Sequence, residues 1–326
     1  MSEVYIKHNR YGKELVKFMK KVVDPKDPKK HTAYEYTVLI LLRGDFEESY
    51  TKEDNASVVP TDTMKNTVYV LAKTTEFDQP EVFAAIMANH FTSHSRFAHV
   101  SSAECTVTAQ RWSRIVMSDG SAHPHSFYRD GEELRTGYCE AKRGGSFTVS
   151  SEIRDLQILK TTGSAFYGFF KDEYTTLPEV KDRIFSTNVN CSYKWGIFNN
   201  LEQIQKYSET FGKVWASARQ ITFETFATDN SCSVQATLYK MCEKIITVSP
   251  GVSEVEYTLP NVSCPGTKPS VSNVIADTLQ KHYFEANLSP FNIANTGTDA
   301  TVYLPQSWPS GHINACIARS GETTIA

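Results

Sequence analysis

From Tyr34 to Leu42 the chain reads Tyr-Glu-Tyr-Thr-Val-Leu-Ile-Leu-Leu, a run of aromatic and aliphatic residues that predicts a strand. Gly44–Asn55 is polar and reads as a connection, and Thr67–Ala72 reads as a second short strand. The apolar period then changes. Phe83, Ile86, Met87, His90 and Phe91 fall on one face of a helix, with Asp78 or Gln79 able to cap it and Pro80 suited to its first turn. Cys105–Ile115 and Ser126–Arg129 read as strands joined through a turn at Asp119-Gly120.

The second half resembles this order. Leu156–Lys160, Ala165–Phe170, Asn188–Trp195 and Val255–Leu259 are strand-like, and Phe211–Thr228 and Ser233–Thr247 are helical. Thr176–Arg183 reads as a short helical or turn segment. In both halves a turn with an acid soon followed by a base comes after an extended arm: Thr61-Asp62-Thr63-Met64-Lys65 and Pro178-Glu179-Val180-Lys181-Asp182-Arg183. This pattern predicts an α+β fold made of a duplicated strand–strand–helix–helix–strand–strand module, divided into 1–145 and 146–326. The period is too long for a solenoid.

Composition narrows the class without setting the chemistry. The 326 residues are 40% hydrophobic and 12% aromatic, enough for a sizeable core. A net charge of −3 gives no electrostatic case for nucleic acid or an anionic membrane. No apolar run approaches the roughly 20 residues of a membrane span, and the Lys-rich start lacks the apolar core of a secretory signal. The Asn-x-Ser patterns at Asn55, Asn261 and Asn287 therefore carry no expectation of glycosylation. Seven scattered cysteines without a Cys-x-x-Cys pair read as free thiols. The final Thr-Thr-Ile-Ala is not a Ser-Lys-Leu peroxisomal address.

Familiar catalytic motifs are missing. Gly163 to Gly168 has the glycine spacing of a phosphate loop but not the following Lys-Ser/Thr, and neither a dinucleotide fingerprint nor a Gly-x-Ser-x-Gly elbow occurs. His123 and His125 could offer two imidazoles to a metal, yet no convincing third ligand accompanies them, and a hairpin edge is the plainer reading. Ser231 and Ser233 are good caps for the helix that starts near Val234 and Gln235, which places backbone N–H groups at a positive helix end suited to an anion.

Ordered motifs run along nearly the whole chain apart from 262–280 and the last few residues. They include Tyr11-Gly12-Lys13, Ser49-Tyr50-Thr51-Lys52, Pro60-Thr61-Asp62-Thr63 and Pro124-His125-Ser126-Phe127. Further along come Asp172-Glu173-Tyr174-Thr175-Thr176-Leu177, Asp182-Arg183-Ile184-Phe185-Ser186-Thr187, Ser233-Val234-Gln235-Ala236-Thr237, Leu259-Pro260-Asn261 and Lys281-His282-Tyr283-Phe284-Glu285. Together they resemble the urate oxidase (uricase) family. The resemblance implies two tandem tunnelling-fold (T-fold) modules per chain, an antiparallel sheet with helices on one face, and a barrel-like homotetramer with active sites at subunit interfaces. It also implies oxidation of urate by O2 without metal, flavin or other cofactor, in a peroxisomal setting.

Site residues carried over by the resemblance are Arg183 and Gln235 on opposite edges of urate, Phe166 stacked on its ring, and Val234 and Asp62 as backbone contacts. Asn261 would hold oxygen or water above the ring, and Lys13, Thr61 and His282 would relay protons. The residues matching Lys13, Thr61 and Asp62 are expected to come from a neighbouring subunit. Taken singly, each has a plainer reading: Arg183 as a surface ion pair with Asp182 or Glu179, Phe166 as core, Gln235 as a helix start.

The family keeps asparagine, lysine and histidine consecutive, whereas here Asn261 and His282 are separated by 262–280. One reading is a surface loop, since loop closure grows costlier only slowly with length. The other, favoured one is an unspliced intron: Val262-Ser263, Ala276-Asp277 and Leu279-Gln280 can all be encoded by splice-signal sequences. A purine-binding relative disabled by this insertion is the alternative to an active enzyme. A pteridine-type enzyme of the same fold is weaker, because its metal or acid–base set is not found.

Overall fold

The computed structural model describes residues 4–263, 282–285, 289, 292–295, 301–306, 311–321, 323 and 325. Strands β1 (Tyr11–Val23) and β2 (His31–Gly44) lead into helices α1 (Glu47–Thr51), α2 (Thr61–Thr74) and α3 (Pro80–Ser93), and β3 (Val100–Val116) and β4 (Ala122–Lys142) follow. Beyond a turn the order recurs: β5 (Phe147–Lys160), β6 (Phe185–Trp195), α4 (Leu201–Lys206), α5 (Ser208–Thr228), α6 (Val234–Val248), β7 (Val252–Ser263) and, after β8 (His282–Glu285) and β9 (Tyr303–Gln306), β10 (His312–Ala318). Eight strands form one antiparallel sheet in the order β1-β2-β3-β4-β5-β6-β7-β10, while β8 and β9 pair with each other.

Alternation along the strands decides which face the helices cover. In β2, Tyr36, Val38, Ile40 and Leu42 are buried and their neighbours are not; in β6, Val189, Cys191, Tyr193 and Trp195 are buried. Onto this face α3 sinks Phe83, Met87 and Phe91, and α6 sinks Val234, Leu238, Met241 and Ile245, each set at helical spacing. Each such fully buried side chain contributes about 1.5–3 kcal/mol. The result is an α+β architecture with one core running beneath both halves.

Two devices appear twice. Arg143, just past β4, donates through Nε to Val100 O and through Nη2 to Phe91 O at the end of α3. Arg319, just past β10, donates through Nε to Val252 O and through Nη2 to Ile246 O at the end of α6. The second device is a bulge. The β1–β2 register slips between Lys13 and Val16, and the β5–β6 register slips between Ile153 and Leu156. Each slip contains a non-glycine residue with positive φ, Leu15 at 57° and Asp155 at 56°.

At the join between the halves, Glu81 of α3 is completely buried. Arg135 Nη2 of β4 donates to both its oxygens at 2.8 and 3.0 Å, Ser151 Oγ of β5 donates at 2.6 Å, and Trp195 Nε1 of β6 donates to Ser151. A side chain at Gly137 would place its Cβ 2.4 Å from the Glu81 nitrogen, so only glycine lets β4 pass so close to α3.

Four local expectations change. Thr67–Ala72 is not a strand but the second half of α2, and Thr61–Lys65 is its first turn rather than a free turn. Met64, Val68 and Ala72 are buried at four-residue spacing, a helical seam that outweighs the β-branched content of Thr67, Val68 and Val70. Ala165–Phe170 forms only a bridge between Phe166 and Val180, and Gly44–Asn55 contains α1. The six described cysteines are free. The 262–280 interruption lies outside the described residues, apart from the end of β7.

Candidate functional site

Three segments of the second half converge at the start of α6. Residues 163–165 run parallel to Ser231, with Ala165 N donating to Ser231 O and Ser231 N donating to Gly163 O. Phe166 then bridges Val180 by two backbone hydrogen bonds, which draws Arg183 alongside. Asp182 closes the corner: it accepts from Thr162 Oγ1 at 2.6 Å and Gly163 N at 2.8 Å. Burial would push its carboxyl up, but these hydrogen bonds outweigh that and hold it below the usual aspartate value.

Arg183 is half-buried, with Cζ 5.3 Å from the Phe166 ring centroid and Nε donating to Ser164 Oγ at 3.4 Å. Burial lowers its basicity. The surface ion pair that its sequence neighbours suggest does not form. Glu179 pairs with Lys171, Asp182 holds the 162–163 backbone, and among the described residues no carboxylate reaches Arg183. Its two outer nitrogens are without a partner there, leaving a fork matched to a planar anion. Phe166 is half-buried and stacks on Phe169 at 4.6 Å, so it is not core.

Helix α6 begins at Val234, and the capping falls to Ser233, whose Oγ accepts from Ala236 N. Ser231 does not cap the helix. It lies fully buried with its Oγ 2.8 Å from Thr237 Oγ1, which donates to Asp229 at 2.6 Å. Lys240 pairs with the other Asp229 oxygen. Gln235 is exposed, with Oε1 accepting from Ser233 Oγ. Asn261 sits on β7 opposite Thr187 of β6, four residues beyond Arg183. His282 opens β8, opposite Gln306 of β9, and β8 lies beside β7. Side-chain placement at Asn261 and His282 falls outside the described residues.

Lys13, Thr61 and Asp62 form a second group. The Tyr11 hydroxyl accepts from Val59 N at 2.7 Å and donates to Val59 O, tying β1 to the segment that opens α2 at Thr61. Burial pushes this phenol up to about 12. Asp62 is held below the usual aspartate value mainly by Lys65, with the charge of Lys13 adding to the effect. β1 is one edge of the sheet, and six strand spacings separate it from β7. At about 4.8 Å per spacing this is about 29 Å along the sheet. Along the sheet of one chain the two groups therefore stand far apart.

Sequence reasoning did not single out Ser164, Asp182 or Thr237 as supports. The Thr162–Ser164 run followed by Asp182 carries too little pattern to show which hydroxyl meets which carboxylate. The His123–His125 pair lies on β4; His125 Nδ1 contacts Lys29 O, and no metal-binding cluster of three or more His, Cys, Asp or Glu occurs among the described residues. A separate 610 Å³ cavity is lined by Arg111, Glu133 and Arg219, whose charges already pair with one another.

The fold and this grouping define an α+β sheet protein with an unpaired arginine fork, an aromatic face and a helix start in one corner. A sequence model of the uricase family matches residues 9–140 and 149–264. The uricase of Schizosaccharomyces pombe is 46% identical over 320 residues, 98% of this chain and 100% of its own length. That of Aspergillus flavus is 41% identical over 316 residues, 97% of each chain. The crystal structure of uricase from Arthrobacter globiformis superposes with a TM-score of 0.80 at 32% identity, covering 100% of this chain and 98% of that one. The chain belongs to the uricase family.

Proposed function

We propose that this chain oxidises urate with O2 and water to 5-hydroxyisourate and hydrogen peroxide. The observation that carries the reading is the half-buried Arg183 fork, unpaired among the described residues and set beside Phe166 at the start of α6, in a chain of this family. Urate is planar, anionic and electron-rich, so it supplies the electrons itself, and the protein orients it, moves its protons and places oxygen over its face. No metal, flavin or other cofactor is required.

Arg183 and Gln235 hold opposite edges of the purine, Phe166 stacks on it, and the backbones of Val234 and Asp62 add contacts. Asn261 holds oxygen or water above the ring. Lys13, Thr61 and His282 form the proton relay, in which an imidazole contributes a pKa near neutrality. The 29 Å separation supports a site completed by a second copy, with Lys13, Thr61 and Asp62 supplied in trans. The twinned arginine caps and twinned bulges support two tandem T-fold modules, 1–145 and 146–326, assembling into a barrel-like homotetramer. A peroxisomal location, as in much of the family, would keep the peroxide near its disposal.

Replacing His282 by alanine tests the relay. The expected result is a fall in kcat of about 100-fold or more, the size of general acid–base effects, with urate binding changed less than about threefold. An unchanged oxygen-uptake rate would remove His282 from the relay. Urate binding by the unaltered chain without oxygen uptake would favour the disabled purine-binding relative.

A further inference from the structure

Lys13 and Val16 both face the helix-covered side of the sheet although β1 places two residues between them. Residues opposite each other in an antiparallel ladder share a face. Lys13 opposes Ile40 and Val16 opposes Val38, both completely buried under the helices. Lys13 and Val16, three apart, cannot share a face in a regular strand, where faces alternate every residue. The bulge makes it possible, because Glu14 and Leu15 together span the one position of Leu39. Tyr11 and Lys13 before the bulge, and Val16 and Phe18 after it, then all point toward the helices. Tyr11 there clasps Val59, and the Lys13 charge acts on Asp62.

We propose that, with two residues between Lys13 and Val16, the Leu15 bulge is the device that keeps Lys13 aimed at the start of α2, making Leu15 a positioning residue for the proton relay. The inference deepens the proposed function and rests on Lys13 acting in that relay. Leucine has no conformational reason to adopt φ of 57°, and this one is 70% exposed, so burial of its side chain does not hold the conformation in place. The matching bulge in β5 differs on both counts. There the residue is Asp155, of a type that tolerates this conformation, and its N–H is held by Asn190 Oδ1 at 3.1 Å. β1 keeps the same irregularity without those supports, two residues after a lysine that faces inward.

The test is a series of full-length variants assayed by oxygen uptake and by urate binding, alongside Lys13→Met. Deleting Leu15 removes the extra residue, so a regular strand still keeps Lys13 on the helix-covered face and kcat should stay within about threefold of the parent, whereas in Leu15→Val the pH profile of kcat should shift toward that of Lys13→Met with urate binding within about threefold. Leu15→Val, whose β-branched side chain resists positive φ, should lower kcat about tenfold while the protein stays folded. Leu15→Gly should restore it to within twofold of the parent. If Lys13→Met cripples turnover but the Val and Gly variants are equally active, the positioning role is overturned. If Lys13→Met is itself fully active, the relay reading fails instead.

Discussion

Arg183 is a cation that the fold leaves unspent among its described neighbours. A half-buried charge lacking a partner is costly, and an anion at the fork offsets that cost. Arg183→Lys keeps the charge but loses the planar two-donor geometry. Since a hydrogen bond to a charged group is worth about 1.5–3 kcal/mol, KM for urate should rise about 10- to 100-fold, measured by initial rates; an unchanged KM would show that the fork does not bind substrate. The residue types of this corner were legible in the sequence, but their relations were not. Asp182 and Glu179 stand next to Arg183 along the chain, and proximity suggests an ion pair. Three-dimensional structure instead gives Glu179 to Lys171 and Asp182 to the 162–163 backbone, pairings that sequence distance cannot reveal.

At the scale of elements, the corner is rigid because α6 is moored at both ends. Asp229, Ser231 and Thr237 fix its start to the 163–166 segment, and Arg319 closes its last turn. Burial would raise the Asp229 carboxyl, but Lys240 and Thr237 more than offset it, so its folded pKa lies below the usual aspartate value. A depressed folded pKa means that the unfolded chain takes up its proton first. The stabilising contribution is therefore complete above the ordinary aspartate pKa and is lost as pH falls through the folded one. Asp229→Asn should lower stability near neutral pH and flatten its decline in acid, checked by denaturant unfolding at pH 3 and 7; parallel curves for both proteins would refute the mooring. Helix α6 was readable beforehand from its serine cap and apolar spacing. The strand reading of Thr67–Ala72 was not sound, because β-branched residues weigh toward strands locally while the deciding seam of Met64, Val68 and Ala72 depends on what α2 packs against.

At the scale of the whole molecule, one sheet holds the two candidate groups far apart. If each site draws Lys13 from one copy and Arg183 from another, two inactive variants can repair each other. Lys13→Met and Arg183→Ala, each inactive alone, should regain oxygen uptake when produced together in one cell, through sites that receive both intact halves. A mixture as inactive as its components would place the whole site within one chain. The Glu81 cluster carries a different consequence. Its carboxylate rides on α3, while the groups that satisfy it come from β4, β5 and, through Ser151, β6. Arg135 belongs to the same half as Glu81, so prising the two halves apart would cost the carboxylate only its Ser151 bond, worth about 1.5–3 kcal/mol for a hydrogen bond to a charged group. The two halves are therefore expected to melt as one unit, because a hydroxyl of the second keeps a carboxylate of the first from going dry and underbonded.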